Sequence, residues 1–149
     1  MGFLYFGIRH AIKEHDNIIQ ISGGLLGVRE EALIESALAH IQNDDYYPTL
    51  SDKLTHLVFS IAMNHAFVDG NKRSSIALGA YFLEINRWDG MVGRFIIEME
   101  NIVLWMAEGK ISKEFLHEII EDIIKKGFLS EEVKLKIIKI LGYDGFSKI

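Results

Sequence analysis

An all-α fold is what this sequence predicts, and three observations predict it. Apolar residues recur at helical spacing, most cleanly at Leu54, Leu57, Val58, Ile61 and Ala62, which fall at i, i+3, i+4, i+7 and i+8. Leu, Ile, Ala, Glu and Lys are abundant and there is a single proline, a composition that favours helices. Serines and glycines also stand where helices should start and stop: Ser112 and Ser130 as N-caps, Gly109 and Gly127 as terminators.

In chain order, residues 3 to about 16 read as a helix with Leu4, Ile8, Ala11 and Ile12 on one face, ending near His15-Asp16. Ile18 to Val28 sets β-branched residues around Gly23, Gly24 and Gly27, which predicts a loop or small hairpin. On the residues alone, a plain connector is the simpler reading of this stretch. Arg29 to Gln42 is helical, with Ala32, Leu33, Ser36 and Ala37 on one side, Glu30, Glu31 and Glu35 on or near the polar side, and His40 as a surface histidine. Residues 43–49 form a loop. A helix over Ser51 to Asn64 follows, whose apolar stripe His65 continues at i+11. Lys72 to Asn86 packs through Ile76, Ala77, Ala80, Phe82 and Leu83. Its small residues, Ser74, Ser75, Ala77, Gly79 and Ala80, would let a neighbouring helix come close. Trp88 reads as a buried turn anchor. Phe95 to Ala107 presents Ile96, Met99, Ile102, Val103 and Met106. The next helix runs to Lys126 with Phe115, Leu116, Ile119, Ile120 and Ile123 inside. A last one carries Val133, Leu135, Ile137, Ile138 and Leu141 before Gly142.

The chain has 149 residues, one domain by the usual prior, with no repeat, low-complexity tract or dividing linker. Its net charge of −5 argues against a general nucleic-acid binder, because phosphate contacts need surplus Lys and Arg. With no cysteine, disulfides, thiolate metal sites and cysteine nucleophiles are excluded. The first residues lack a basic n-region and a long apolar run, and no stretch approaches a membrane span, so a cytoplasmic protein is expected.

Residues 65–75 are the densest in reactive groups: His-Ala-Phe-Val-Asp-Gly-Asn-Lys-Arg-Ser-Ser, between two helical stretches. A histidine closing an apolar stripe is more often core than catalyst. The company of Asp69, Asn71, Lys72 and Arg73 reverses that reading and makes His65 a general base. Phe67 is an anchor that pins the loop. Asp69 is a ligand for Mg2+, which binds through one or two carboxylates plus substrate phosphates. A helix N-terminus carrying Lys72 and Arg73 is a natural phosphate cradle. Gly70 would let backbone approach a phosphate that Asn71, Lys72 and Arg73 hold.

The pattern His65, Phe67, Asp69, Gly70, Asn71, Arg73 resembles the Fic/Doc signature, His-x-Phe-x-Asp/Glu-Gly-Asn-x-Arg, at all six fixed positions. Fic-type adenylyltransferases carry Gly where this chain has Lys72 and a second Arg where it has Ile76, so the chain resembles the Doc (death-on-curing) branch. The resemblance runs from about residue 10 to residue 124. It implies a Fic/Doc-type helical bundle (1–126), an active-site loop between two central helices, and a flap at Gly23, Gly24 and Gly27 that holds a substrate segment; residues 127–149 lie outside the resemblance and read as a helical extension packed on the same domain. It further implies a toxin using ATP and Mg2+ to transfer the γ-phosphate to a Ser or Thr of a protein such as a translation factor. The alternatives are AMP transfer or a non-enzymatic binding module. No Ser/Thr-x-x-x-Glu inhibitory pattern occurs, so a separate antitoxin is the expected restraint.

Overall fold

Thr49 and Asp52 start the helix around which the others assemble. The Thr49 hydroxyl accepts from the Asp52 amide at 3.1 Å, and the Asp52 carboxylate accepts from the Thr49 amide at 3.1 Å, so each satisfies a donor the helix end leaves unpaired. The computed structural model describes residues 2–142. The helix in question, α3 (Leu50–Met63), is the third of seven among the described residues. The others are α1 (Ile8–Ser22), α2 (Glu31–His40), α4 (Asn71–Ile85), α5 (Val92–Ala107), α6 (Lys113–Lys126) and α7 (Glu131–Ile140), with a 3-10 turn at Asp89–Met91. The all-α expectation holds, and the β structure among the described residues is one isolated bridge between Val28 and Phe67.

α3 and α4 form the central pair, with α6, α5, α2 and α1 laid against them. Leu54, Leu57, Val58 and Ile61 are fully enclosed, as are Leu78, Phe82 and Leu83 of α4. Gly79 makes the close approach possible: a Cβ there would lie 2.8 Å from Phe95 Cζ and 3.0 Å from Val58 Cγ2. Leu129, Val133 and Ile137 join the same core from the C-terminal side, and Asp122 accepts the Ser130 amide at 2.9 Å ahead of α7. Residues 143–149 of the extension lie outside the described residues.

α3 also buries polar side chains. Lys53 is wholly enclosed; its ammonium donates to the Ile41 carbonyl at 2.7 Å and to Asp44 at 2.6 Å, beneath the rings of Phe3 and Tyr5. His56 accepts at Nδ1 from the Lys113 ammonium at 2.8 Å, which leaves its proton on Nε2, 3.1 Å from His40 Nδ1. Burial, then the charges of Lys113 and His40, push His56 down to about 4.

Several expectations are corrected. The first helix starts at Ile8, not residue 3, because Phe3 and Tyr5 lay their rings over Lys53 and Leu4 is tied by both amide and carbonyl to Asn86. It also continues through Ile18–Ser22, which the β-branched residues had argued against. Ile19 is buried, so packing overrides a weak local preference. Trp88 is 39% exposed and not buried; Phe95, not Ile96, faces the core from α5; Leu135 and Leu141 of the last segment are exposed. His40 is on the surface as expected, but it faces a buried histidine.

Two outcomes follow. Gly79→Ala should destabilise the fold by about 1–3 kcal/mol in chemical denaturation, the cost of overpacking a tight core. Because folded His56 titrates near 4 and its unfolded form near 6.5, the unfolded chain takes the proton first. The stability this group contributes is full above 6.5 and lost as pH falls toward 4. Tm should drop across that window, and His56→Gln should flatten the slope.

Candidate active site

α3 runs out at Met63, where the Asn64 amide still reaches the Ser60 carbonyl at 3.0 Å, and His65 then takes a left-handed backbone with φ of 53°. That turn lifts the imidazole out of the stripe it was expected to continue and exposes it. The chain dives back immediately. Phe67 is fully buried, with its ring stacked on His15 at 4.0 Å and an interplanar angle of 3°. Asn71 then closes the loop: its Oδ1 accepts the Phe67 amide and its Nδ2 donates to the Phe67 carbonyl, both at 3.0 Å. Gly70 enters α4 at φ of 76°, and a Cβ there would meet Ile19 Cδ1 at 2.9 Å.

Asp69 stands at the tip of the loop. Its Oδ2 accepts the Leu25 amide at 3.0 Å and its Oδ1 the Gly70 amide at 2.8 Å. These two bonds, Leu25 first, and then the Arg73 and His15 charges hold its carboxyl below the usual range. The contact with Leu25 is therefore in place at neutral pH and is lost only as pH falls through that lowered value.

The segment carrying Leu25 is a loop, as expected, yet it pairs with the motif and not with itself. Val68 donates to the Gly27 carbonyl at 3.0 Å, and Arg29 and Glu30 donate to the Ala66 carbonyl at 2.7 and 3.0 Å. Gly24 lies so close that a Cβ would sit 2.7 Å from Asp69 Oδ2. Gly23 ends α1 by donating to the Ile19 carbonyl at 2.8 Å, while Leu25 and Leu26 project into solvent.

The Fic/DOC family profile matches residues 5–83. This chain belongs to the Fic/Doc family. It is also 47% identical over 68 residues to Toxin Doc of Mycolicibacterium smegmatis, a match covering 43% of this chain and 52% of that protein, about half its length. Motif and relative together place it in the Doc branch.

Within this Fic/Doc chain, His65, Asp69, Gly70, Asn71 and Lys72 line one pocket of about 240 Å³, floored by Ala62 and Met63. Both functional atoms of the Asn71 side chain are spent on Phe67, so it shapes the loop. Arg73 does not line the pocket; its Nη1 donates to Ser22 Oγ and, at 2.8 Å, to the Gly23 carbonyl, placing a cation at the C-terminus of α1. Lys72 is exposed at the rim, beside the N-terminus of α4.

Among the described residues, no group of three or more His, Asp or Glu side chains gathers to hold a metal. A dedicated cage is absent there, and Asp69 alone offers a carboxylate in the pocket. That donor set fits Mg2+, which takes one carboxylate, keeps its waters and completes its shell with phosphate. No helix among the described residues is long and apolar enough to cross a membrane. Reading by sequence missed His15, taken only as the end of a helix, although it touches both Phe67 and Asp69. Its signal was the placement of His-Asp shortly before Gly-Gly, which has no meaning until the helix is known to run on to Ser22.

Gly24→Ala should force the flap off Asp69, since a Cβ there is both strained at φ of 124° and in collision. Amide exchange at Leu25 should accelerate by about tenfold or more while the amides of α6 keep their protection.

Proposed function

We propose that this chain is a Doc-like toxin that transfers the γ-phosphate of ATP, with Mg2+, to a serine or threonine hydroxyl of a target protein. Lys72 carries the reading. It places a long cation at the pocket rim, next to a helix N-terminus, at the motif position where Fic adenylyltransferases have glycine. Ile76 agrees: where those enzymes have a second arginine, this chain has an apolar residue beside Ile18 and Ile96.

Asp69 would hold Mg2+, which neutralises phosphate charge when bound. His65, exposed and lining the same pocket, takes the proton of the target hydroxyl as its oxygen bonds to the γ-phosphorus. The bond from that phosphorus to the bridging oxygen breaks, and ADP carries the electron pair away. Lys72 and the first amides of α4 supply positive charge to the phosphate oxygens. The exposed Leu25–Leu26 flap, already paired by backbone with the motif loop, is suited to hold an extended segment of the target. A translation factor is the target class that the resemblance to Doc suggests, and a separate antitoxin is the restraint that goes with it.

A lysate supplied with Mg2+ and labelled ATP tests this. Label should move to protein from γ-labelled and not from α-labelled ATP, and His65→Ala should cut transfer by about a hundredfold or more. Transfer of the α-label would make this an AMP transferase and remove the significance given to Lys72. No transfer of either label in any target-containing lysate would return the fold to a binding role.

A further inference from the structure

We infer that His15 is a positioning residue that aims the Asp69 carboxylate by holding the Asp69 backbone. His15 is fully buried on α1, yet it contacts the motif loop with both its face and its edge. The face lies flat on Phe67. At the edge, Nε2 stands 2.6 Å from the Asp69 carbonyl, and since a carbonyl has no proton to give, Nε2 donates. Nδ1 lies 3.2 Å from Asp16 Oδ1, which accepts from it only when the ring carries both protons.

Three neighbouring carbonyls of the loop are held by other groups. The Ala66 carbonyl is taken by the Arg29 and Glu30 amides, the Phe67 carbonyl by Asn71, and the Gly70 carbonyl by the Ser74 amide. No backbone amide reaches the Asp69 carbonyl among the described residues, and His15 supplies its donor. The peptide following Asp69 leads into Gly70, a residue whose missing Cβ leaves its backbone the widest choice of torsions. Without a fixed donor on its oxygen, that peptide can swing, and the carboxylate swings with it. Phe67 needs only an apolar ring for its stack, so a nitrogen at this place answers a need of Asp69. α1 is rigid here because Ala11 and Ile19, on the turns either side, are buried.

The inference rests on the functional reading only for its consequence in turnover; the positioning itself is measured separately. The full chain is compared with His15→Phe, which keeps the stack and removes the donor, and with His15→Gln, whose side-chain amide can donate to the carbonyl. His15→Leu serves where the phenyl ring does not fit. Exchange of the Gly70 and Leu25 amides, the two donors to the Asp69 carboxylate, should quicken about tenfold or more in the Phe variant, with α3 and α6 unchanged. Where wild-type transfer is seen, kcat should fall about tenfold with little change in nucleotide KM, and Gln should recover most of both effects. Native exchange in the Phe variant, loss of protection spread over every helix, or a Gln variant no better than Phe would each overturn the inference. If the wild type moves no label, the functional reading falls, and the exchange comparison alone still decides what His15 does.

Discussion

Asn71 closes the connection between α3 and α4 on itself by bonding the amide and the carbonyl of one residue, Phe67, whose ring is sunk in the core. The rest of the site depends on that closure. It joins the end of one central helix to the start of the other, and the two helices are packed too tightly at Gly79 to shift independently. With Phe67 and Asn71 fixed, the residues between them have few ways to run, and Asp69 is carried to the tip where two amides can reach it. A flexible loop with the same side chains would have to order itself each time they were brought together. Here that entropy is removed during folding.

The parts legible in the sequence are those governed by short-range rules. The period of α3, the Ser112 and Ser130 caps and the glycine stops at Gly109 and Gly127 were readable because each needs only its near neighbours. What escaped depends on residues far apart in the chain. Ile18 to Ser22 is helical because Ile19 has a buried place to go beside Gly24 and Gly70. Residues 3–5 lie outside the first helix, with the rings of Phe3 and Tyr5 over Lys53. His65 leaves the stripe of α3 through a single left-handed residue, a step that helical periodicity does not anticipate. Spacing identified the motif but gave no partners: that Asn71 turns to Phe67 and Arg73 to the end of α1 could be learned only from the packing.

The chain is acidic overall, yet its cations are set where they meet carbonyls, rings and helix ends. Arg73 sits at the C-terminus of α1, Lys53 on the Ile41 carbonyl just after α2, and Lys113 on a neutral histidine. Each ties two elements together: α4 to α1, α3 to the end of α2, and α6 to α3. The family motif thus brings His65, Asp69, Asn71 and Lys72 to one pocket, while the side-chain atoms of Asn71 and Arg73, and of His15 outside the motif, are used on the protein itself.

The arrangement at Lys53 bears on how the protein would age. Its ammonium is sealed from water by the rings of Phe3 and Tyr5, which belong to an extended strip tied down chiefly through the Leu4–Asn86 bonds. Displacing that strip would remove little apolar mass, but it would admit solvent to the charge and to the end of α2. Loosening there would be felt inside the central helix, so the strip acts as a seal whose integrity governs how long the whole molecule lasts.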